Sequence, residues 1–212
     1  FYQMEVPMNK VSLVSLLMLA LLVSGVAVFG QDAPLSYPEL NGDWASVSCE
    51  QRPPADQPTY LKREITFQDG EIAIVFHQFA DAACTEPTFS FYFGGSYEIL
   101  GDSTVAEGAK EANITITDVR ITPDSDGFAG FLNSAETGTC GAEAWEVGTQ
   151  QAVSETGCSV LGLPAGLVTT EYEIFYVLND FMFFGARPLD GSFLSEPEKR
   201  PTALLVPVMK AE

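Results

Sequence analysis

Basic residues are scarce in this 212-residue chain. It has 10 Lys and Arg against 29 Asp and Glu, which gives a formal net charge of −19 at pH 7. A surface with so little positive charge repels phosphate backbones, so we expect no nucleic-acid partner. The same imbalance argues against docking on anionic lipid headgroups, although it leaves room for a single lipid molecule bound in a pocket.

Residues and motifs for catalysis are equally sparse. His77 is the only histidine, and it alternates to the face opposite Ile74 and Phe76, which is typical of a structural histidine. Gly101-Asp102-Ser103 resembles the nucleophile block of GDSL hydrolases, but no Asp-x-x-His follows it. Asp124-Ser125-Asp126-Gly127 is half of a calcium loop and is better interpreted as a turn. We therefore predict no catalytic residue, no metal and no cofactor.

The cysteines are few but even in number. Cys49, Cys84, Cys140 and Cys158 predict two disulfides, for which three connectivities exist. Their spacing favours local closure, Cys49 with Cys84 and Cys140 with Cys158, each contributing on the order of 3–4 kcal/mol. A zinc site is the weaker alternative because no pair has the C-x₂-C spacing.

One long apolar run stands near the N-terminus. Met8-Asn9-Lys10 precedes an uncharged stretch, 11–29, and Gln31-Asp32 follows it. This layout predicts that residues 1–30 form a signal peptide cleaved after Gly30, or else an uncleaved N-terminal membrane anchor. The chain would then be secreted or displayed at the cell surface, with membrane contact only through an uncleaved leader.

Helical periodicity is missing after the leader, and period-two alternation takes its place. It predicts about eight strands, including strands near Trp44 and Trp145, joined by turns at Gln68-Asp69-Gly70 and Asn179-Asp180. Residues 31–212 contain no repeat or linker, which indicates one domain. We predict an all-β, antiparallel, lipocalin-like barrel, because closure removes the exposed edges, with a sandwich as the alternative. Such a barrel is either packed with side chains or holds one small ligand.

Two charged motifs have structural interpretations. Gly42-Asp43-Trp44 matches the G-x-W of lipocalins, so we expect Trp44 to close one end of the barrel with Arg187 stacked across its ring. Glu50 and Arg52, beside Cys49, are expected to form a structural ion pair.

A resemblance to a known family rests on these and later motifs. Gly42-Asp43-Trp44 with Cys49-Glu50-Gln51-Arg52-Pro53 resembles the opening of the adenomatosis polyposis coli down-regulated domain, and matches run from about residue 40 to 202. The densest later matches are Cys140-Gly141-Ala142-Glu143-Ala144-Trp145, Gly157-Cys158, Thr170-Glu171-Tyr172-Glu173-Ile174-Phe175 and Gly185-Ala186-Arg187-Pro188. The chain is most similar to the second of the two copies in the animal proteins.

The resemblance implies an extracellular, barrel-like module with disulfides and no known catalysis. In the animal family it implies a surface inhibitor of Wnt signalling whose apolar pocket accepts lipid, including the acyl chain on Wnt. This chain has one copy, fewer cysteines and a Cys140 motif that is one residue shorter before Trp145. The fold and the pocket therefore transfer better than the Wnt role.

The leading hypothesis is a non-enzymatic binding module that holds a lipid or acyl chain. Burial of an acyl chain gains roughly 0.8 kcal/mol per CH₂, so such a pocket needs no charged anchor. The alternatives are an acidic protein-interaction domain with a packed core, and a hydrolase built on two converging carboxylates. The expected pocket lining is Phe89, Phe91, Phe93, Tyr97, Ile114, Ile116, Tyr172, Ile174, Tyr176 and Phe183.

Overall fold

The computed structural model describes residues 35, 37–52, 58–187 and 194–211. The predicted leader, residues 1–30, lies outside the described residues, so the signal and anchor alternatives stay predictions. Residues 53–57 and 188–193, which carry parts of two family motifs, lie outside them as well.

In the described part of the chain, ten strands form one antiparallel sheet, and eight of them close into a barrel. The strands are β1 Gly42–Ser46, β2 Glu50–Arg52, β3 Thr59–Gln68, β4 Glu71–Phe79, β5 Pro87–Asp102, β6 Lys110–Pro123, β7 Gln151–Ala152, β8 Thr169–Leu178, β9 Phe181–Phe184 and β10 Val208–Lys210. The sheet order is β1-β10-β9-β8-β6-β5-β4-β3, and β1 pairs with β3 to complete the ring. β2 continues along β3 beyond the end of β1, and β7 pairs with β6 outside the ring.

The β3–β4 hairpin shows how the sequence pattern produces this barrel. Leu61, Ile65 and Phe67 on β3 are buried, and the intervening residues 62, 64, 66 and 68 are exposed. Asp69 and Gly70 both have positive φ, 52° and 86°, which is the backbone of a two-residue hairpin turn whose twist matches that of the strands. The hairpin therefore presents its apolar face to the interior, as the alternation predicts.

One end of the barrel is sealed around Trp44. The indole is buried and donates its N–H to the carbonyl of Leu40 at 2.8 Å, and Leu40 itself is fully buried in a 3₁₀ turn, Pro38–Leu40. Nζ of Lys210 lies 5.5 Å from the centre of the Trp44 ring. The cation expected over Trp44 was Arg187, and that prediction is wrong. The side chain that reaches the ring comes from the last strand, which pairs directly with Trp44.

A long excursion, 124–168, separates β6 from β8. It contains a helix α1, Asp126–Leu132, and its buried residues, such as Leu132 and Trp145, belong to the same hydrophobic core as the barrel interior. Ser125 caps this helix by accepting from the N–H of Phe128, so the segment predicted as a turn is a helix start. A strand was predicted near Trp145, but this residue lies outside the strands of the described chain. It is buried in the loop, and its indole N–H donates to the carbonyl of Cys140 at 2.9 Å.

The two disulfides pair the cysteines locally, Cys49 with Cys84 and Cys140 with Cys158. The first ties β2 to the loop after β4, and the second closes the excursion. Disulfides of this kind indicate an oxidising environment. Among the described residues, no helix is both long enough and apolar enough to span a membrane.

Candidate functional site

The antiparallel order brings several strand ends together at the end of the barrel opposite Trp44. There β3, β5 and β8 begin, and β2, β4 and β9 end. We use the name upper interior for the inward-facing side chains at this end. They include Glu50, Arg52, Arg63, Phe76, Phe89, Phe91, Phe93, Glu171 and Glu173, together with Arg187 just after β9.

One wall of the upper interior is aromatic. Phe76 on β4 faces the same side as the buried Ile74, and its ring makes an edge-to-face contact with Phe93 of β5 at 5.8 Å. Phe91 lies 5.8 Å from Phe93 on the same face. These three phenylalanines pack against the core, yet they remain only half-buried, whereas Ile65 and Ile74 on the same faces are buried. Part of the surface of the aromatic wall therefore remains accessible to solvent.

Aromatic rings continue from this wall to the rim of the barrel. Phe89 is the next inward-facing residue of β5 towards the rim. Its ring centre lies 5.2 Å from that of Phe91, and it stacks on Phe128 of α1 with ring centres 4.0 Å apart. Phe131, on the same helix, lies 5.9 Å from Phe128 and is 44% exposed. An apolar path therefore runs from the half-buried phenylalanines to the surface.

The adjoining wall is charged, and its first cluster lies on β2 and β3. Glu50 accepts from Nη2 of Arg52 at 2.6 Å and from Nε of Arg63 at 2.9 Å, and it also accepts from the hydroxyl of Ser46. Arg63 is only 3% exposed and donates its Nη2 to the carbonyl of Val206. The expected pair of Glu50 and Arg52 is part of this larger cluster.

The second cluster joins β8 to the segment after β9. Nη2 of Arg187 lies 2.8 Å from Oε2 of Glu171 and 3.6 Å from Oε2 of Glu173. Glu173 is fully buried, and its Oε1 accepts the backbone N–H groups of Ile174 and Gly185. A side chain at Gly185 would collide with Pro201 and with this carboxylate, so glycine lets the chain pass closely enough to place Arg187.

Burial and neighbouring charges shift the pKa values of these groups. Burial raises the pKa of Glu173 to about 7 from its ordinary 4.5, although attraction to Arg187 opposes the shift. Burial lowers the pKa of Arg52 to about 10, against the stabilising charge of Glu50, and repulsion from Arg63 and Arg187 adds to the decrease. For Arg187, burial acts downward, but the carboxylates of Glu173 and Glu171 outweigh it and raise its pKa. The two clusters are thus close enough to interact.

The charged wall was not part of the expected pocket lining. Arg63 stands directly across the strand pair from Phe76, with both side chains inward, and its guanidinium carbon lies 5.7 Å from the centre of the Phe184 ring. An acyl chain needs no charged anchor. The strands nevertheless carry paired charges inward, and each arginine has a carboxylate partner that offsets its burial. Of this wall, sequence reasoning missed Arg63, Glu171 and Glu173 as site residues.

Six of the ten expected lining residues face the interior. Phe89, Phe91 and Phe93 lie in the upper interior, and Tyr97, Ile114 and Ile116 lie deeper in the barrel. Tyr97 contacts Phe67 with ring centres 5.1 Å apart. The structure therefore brings together the lining predicted on β5 and β6.

The other four lie on the outer face, and these predictions are wrong. On β8 the inward side chains are Glu171, Glu173 and Phe175, so the face is the reverse of the one expected; the outward residues are Tyr172, Ile174 and Tyr176 on β8 and Phe183 on β9. Ile174 is nevertheless buried, because the segment after β9 covers this face. There the carbonyl of Leu194 accepts from Tyr172, and Arg200 donates to the carbonyls of Ala112 and Glu173. The outer face of β8 carries apolar residues because the segment after β9 covers it. Alternation within β8 does not reveal this coverage.

Comparison with known proteins agrees with the resemblance seen in the motifs. The family model described as Adenomatosis polyposis coli down-regulated 1 matches residues 31–161, which include β1 to β7 and both disulfides. The matched range spans more than half of the chain. This protein belongs to the adenomatosis polyposis coli down-regulated 1 family.

Proposed function

We propose that this chain is an extracytoplasmic, non-enzymatic binding module that holds an acyl chain in the upper interior of its barrel. The family is not a known enzyme family, and a barrel-shaped binding module is compatible with it. The observation that supports an apolar ligand is the incomplete burial of Phe76, Phe91 and Phe93, although all three face inward.

Half-buried rings inside a barrel leave apolar surface in contact with water, which is unfavourable at roughly 25 cal/mol per Å². A flexible acyl chain removes that surface from water on both partners and gains roughly 0.8 kcal/mol per buried CH₂. The apolar path past Phe89 and Phe128 gives such a chain a route of entry from the rim.

Two linked measurements test the proposal. Lipid is extracted from the purified protein and identified by mass spectrometry, and the delipidated protein is then titrated with cis-parinaric acid, a fluorescent fatty acid. We expect a co-purified single-chain lipid and saturable binding of one probe per chain, with a rise in emission as the probe leaves water. Recovery of no lipid together with no probe binding would overturn the proposal and favour the packed interaction domain.

A further inference from the structure

Three of the ten basic residues in this acidic chain are concentrated in the upper interior. Arg52, Arg63 and Arg187 all reach this one region, and their charges act on one another. Placing like charges together away from water is unfavourable unless anions compensate them. The cluster thus calls for a function beyond packing.

Arg63 is buried within the fold. Its Nε donates to Glu50, its Nη2 donates to the carbonyl of Val206, and only 3% of the residue is exposed. Its role is to hold β2 and the segment before β10 against β3. It has no access to a ligand.

Arg52 and Arg187 are different. Their side chains are 16% and 34% exposed. With partners in the described part of the chain, each hydrogen-bonds through Nη2 alone, Arg52 to Glu50 and Arg187 to Glu171. A guanidinium carries five N–H donors, so several donors of both side chains have no partner among the described residues. Two accessible guanidinium groups at one site are suited to a planar or tetrahedral oxyanion.

The compensation by carboxylates is incomplete near neutral pH. The three arginines face Glu50, Glu171 and Glu173. Glu173 is fully buried, and its Oε2 has no hydrogen-bond partner among the described residues. Because burial raises the pKa of Glu173 to about 7, part of its negative charge is lost there. The site then carries an excess of positive charge inside an otherwise negative protein.

We propose that Arg52 and Arg187 bind the anionic headgroup, a carboxylate or a phosphate monoester, of a single-chain lipid whose acyl chain packs against Phe76, Phe91 and Phe93. This inference rests on the proposed function and names the class of lipid that the same pocket selects. The charged and aromatic walls adjoin, since Arg63 and Phe76 are direct cross-strand neighbours. A headgroup at the arginines therefore leaves its chain beside the phenylalanines.

A series of ligands with one twelve-carbon chain tests this assignment. Dodecanoate, dodecyl phosphate, dodecan-1-ol and methyl dodecanoate compete against Nile red, a neutral apolar dye, for the delipidated full chain. We expect at least one of the two anions to bind at least tenfold more tightly than both neutral compounds. The tighter of the two anions identifies the headgroup source as a fatty acid or as a phosphate-bearing lipid.

The variant Arg52→Gln should reduce that preference to less than threefold while the affinity for dodecan-1-ol stays unchanged. Glu50 keeps Arg63 and Ser46 as partners in this variant, so the cluster retains its internal pairing. The matched control is Arg120→Gln, which removes an arginine paired with Asp118 on the outer face of β6 and should leave the preference unchanged.

Failure of this inference differs from failure of the proposed function. Equal binding of anions and neutral compounds by the unmodified protein would overturn the headgroup assignment while keeping the acyl pocket, and it requires no variant to fold. Binding of none of the four compounds and of no dye would overturn both. A preference that survives Arg52→Gln would overturn the role of Arg52, and a preference that falls equally in Arg52→Gln and Arg120→Gln would assign it to long-range charge and overturn that role as well.

Discussion

At the scale of single residues, the burial of Glu173 makes the free energy of unfolding depend on pH. Its native carboxyl holds a proton up to about pH 7, whereas in the unfolded chain it ionises near its ordinary pKa of 4.5. Unfolding therefore releases a proton between these values, and the free energy of unfolding falls as the pH rises through that window. The lost stability is on the order of 3 kcal/mol above pH 7.

The variant Glu173→Gln should remove this decline, because an amide does not ionise and its oxygen can still accept from Ile174 and Gly185. Urea unfolding at pH 5, 6, 7 and 8 measures the effect, and the difference between the two proteins isolates this group from the general repulsion of an acidic chain. An identical pH profile for both proteins would show that Glu173 ionises normally in the native state.

Arg63 carries a second prediction at this scale. Replacing Arg63 by Met leaves Glu50 buried with one cation fewer and the carbonyl of Val206 without its donor. We expect a loss of about 3–5 kcal/mol of unfolding free energy, as for other broken buried pairs. Lys62→Met, the exposed neighbour on the outer face of β3, should cost less than about 1 kcal/mol.

A double variant separates the charge from the packing at this position. In Glu50→Gln with Arg63→Met, no uncompensated carboxylate remains beside Arg52, so part of the stability should return. If the double variant instead lost the sum of the two single effects, the pair would not be coupled and its place in the cluster would need another explanation.

At the scale of elements, β3 and β8 show what alternation can and cannot predict. On β3 the outer face is exposed, so the sequence pattern assigns the inward face correctly. On β8 both faces are covered, one by the barrel core and one by the segment that contains Arg200. Carboxylates on β8 point inward because Arg187, distant in sequence, pairs with them. The sequence pattern of β8 alone reveals neither the segment that covers its outer face nor the pairing of its carboxylates with Arg187.

The excursion before β8 shows a second limit of the same kind. Helix α1 has seven residues, too few for a helical period to stand out, and Trp145 is buried without belonging to a strand. These elements are held by packing in the shared hydrophobic core, by the cap from Ser125 and by a disulfide. The cysteine pairing, in contrast, was accessible to sequence reasoning because local closure was the favoured connectivity.

Removing the disulfide between Cys140 and Cys158 should loosen the excursion more than the barrel. The variant with Cys140→Ala and Cys158→Ala opens a loop of 18 residues, which corresponds to about 3 kcal/mol. We expect faster proteolytic cleavage within residues 124–168, while the far-ultraviolet circular dichroism of the barrel is retained. Cleavage at the rate of the unmodified protein would mean that packing around Trp145 holds the excursion without the disulfide.

At the scale of the whole molecule, the closed barrel follows from patterns that the sequence displays openly: alternating strands, a tryptophan at one end and short turns such as Asp69-Gly70. The site follows less directly. Its aromatic wall on β5 was predictable, since Phe89, Phe91 and Phe93 repeat with period two. Its charged wall was not, because it joins Arg52, Glu171 and Arg187 through the closure of the ring.

The central claim is that the inward phenylalanines, and not aromatic surface in general, bind the acyl chain. Titration of cis-parinaric acid into Phe91→Gln and Phe183→Gln tests it most directly, because both rings are half-buried on strands but face opposite sides of the barrel. We predict at least a tenfold loss of affinity for Phe91→Gln and less than a twofold change for Phe183→Gln, with both variants melting cooperatively. Equal affinities in the two variants would contradict the account.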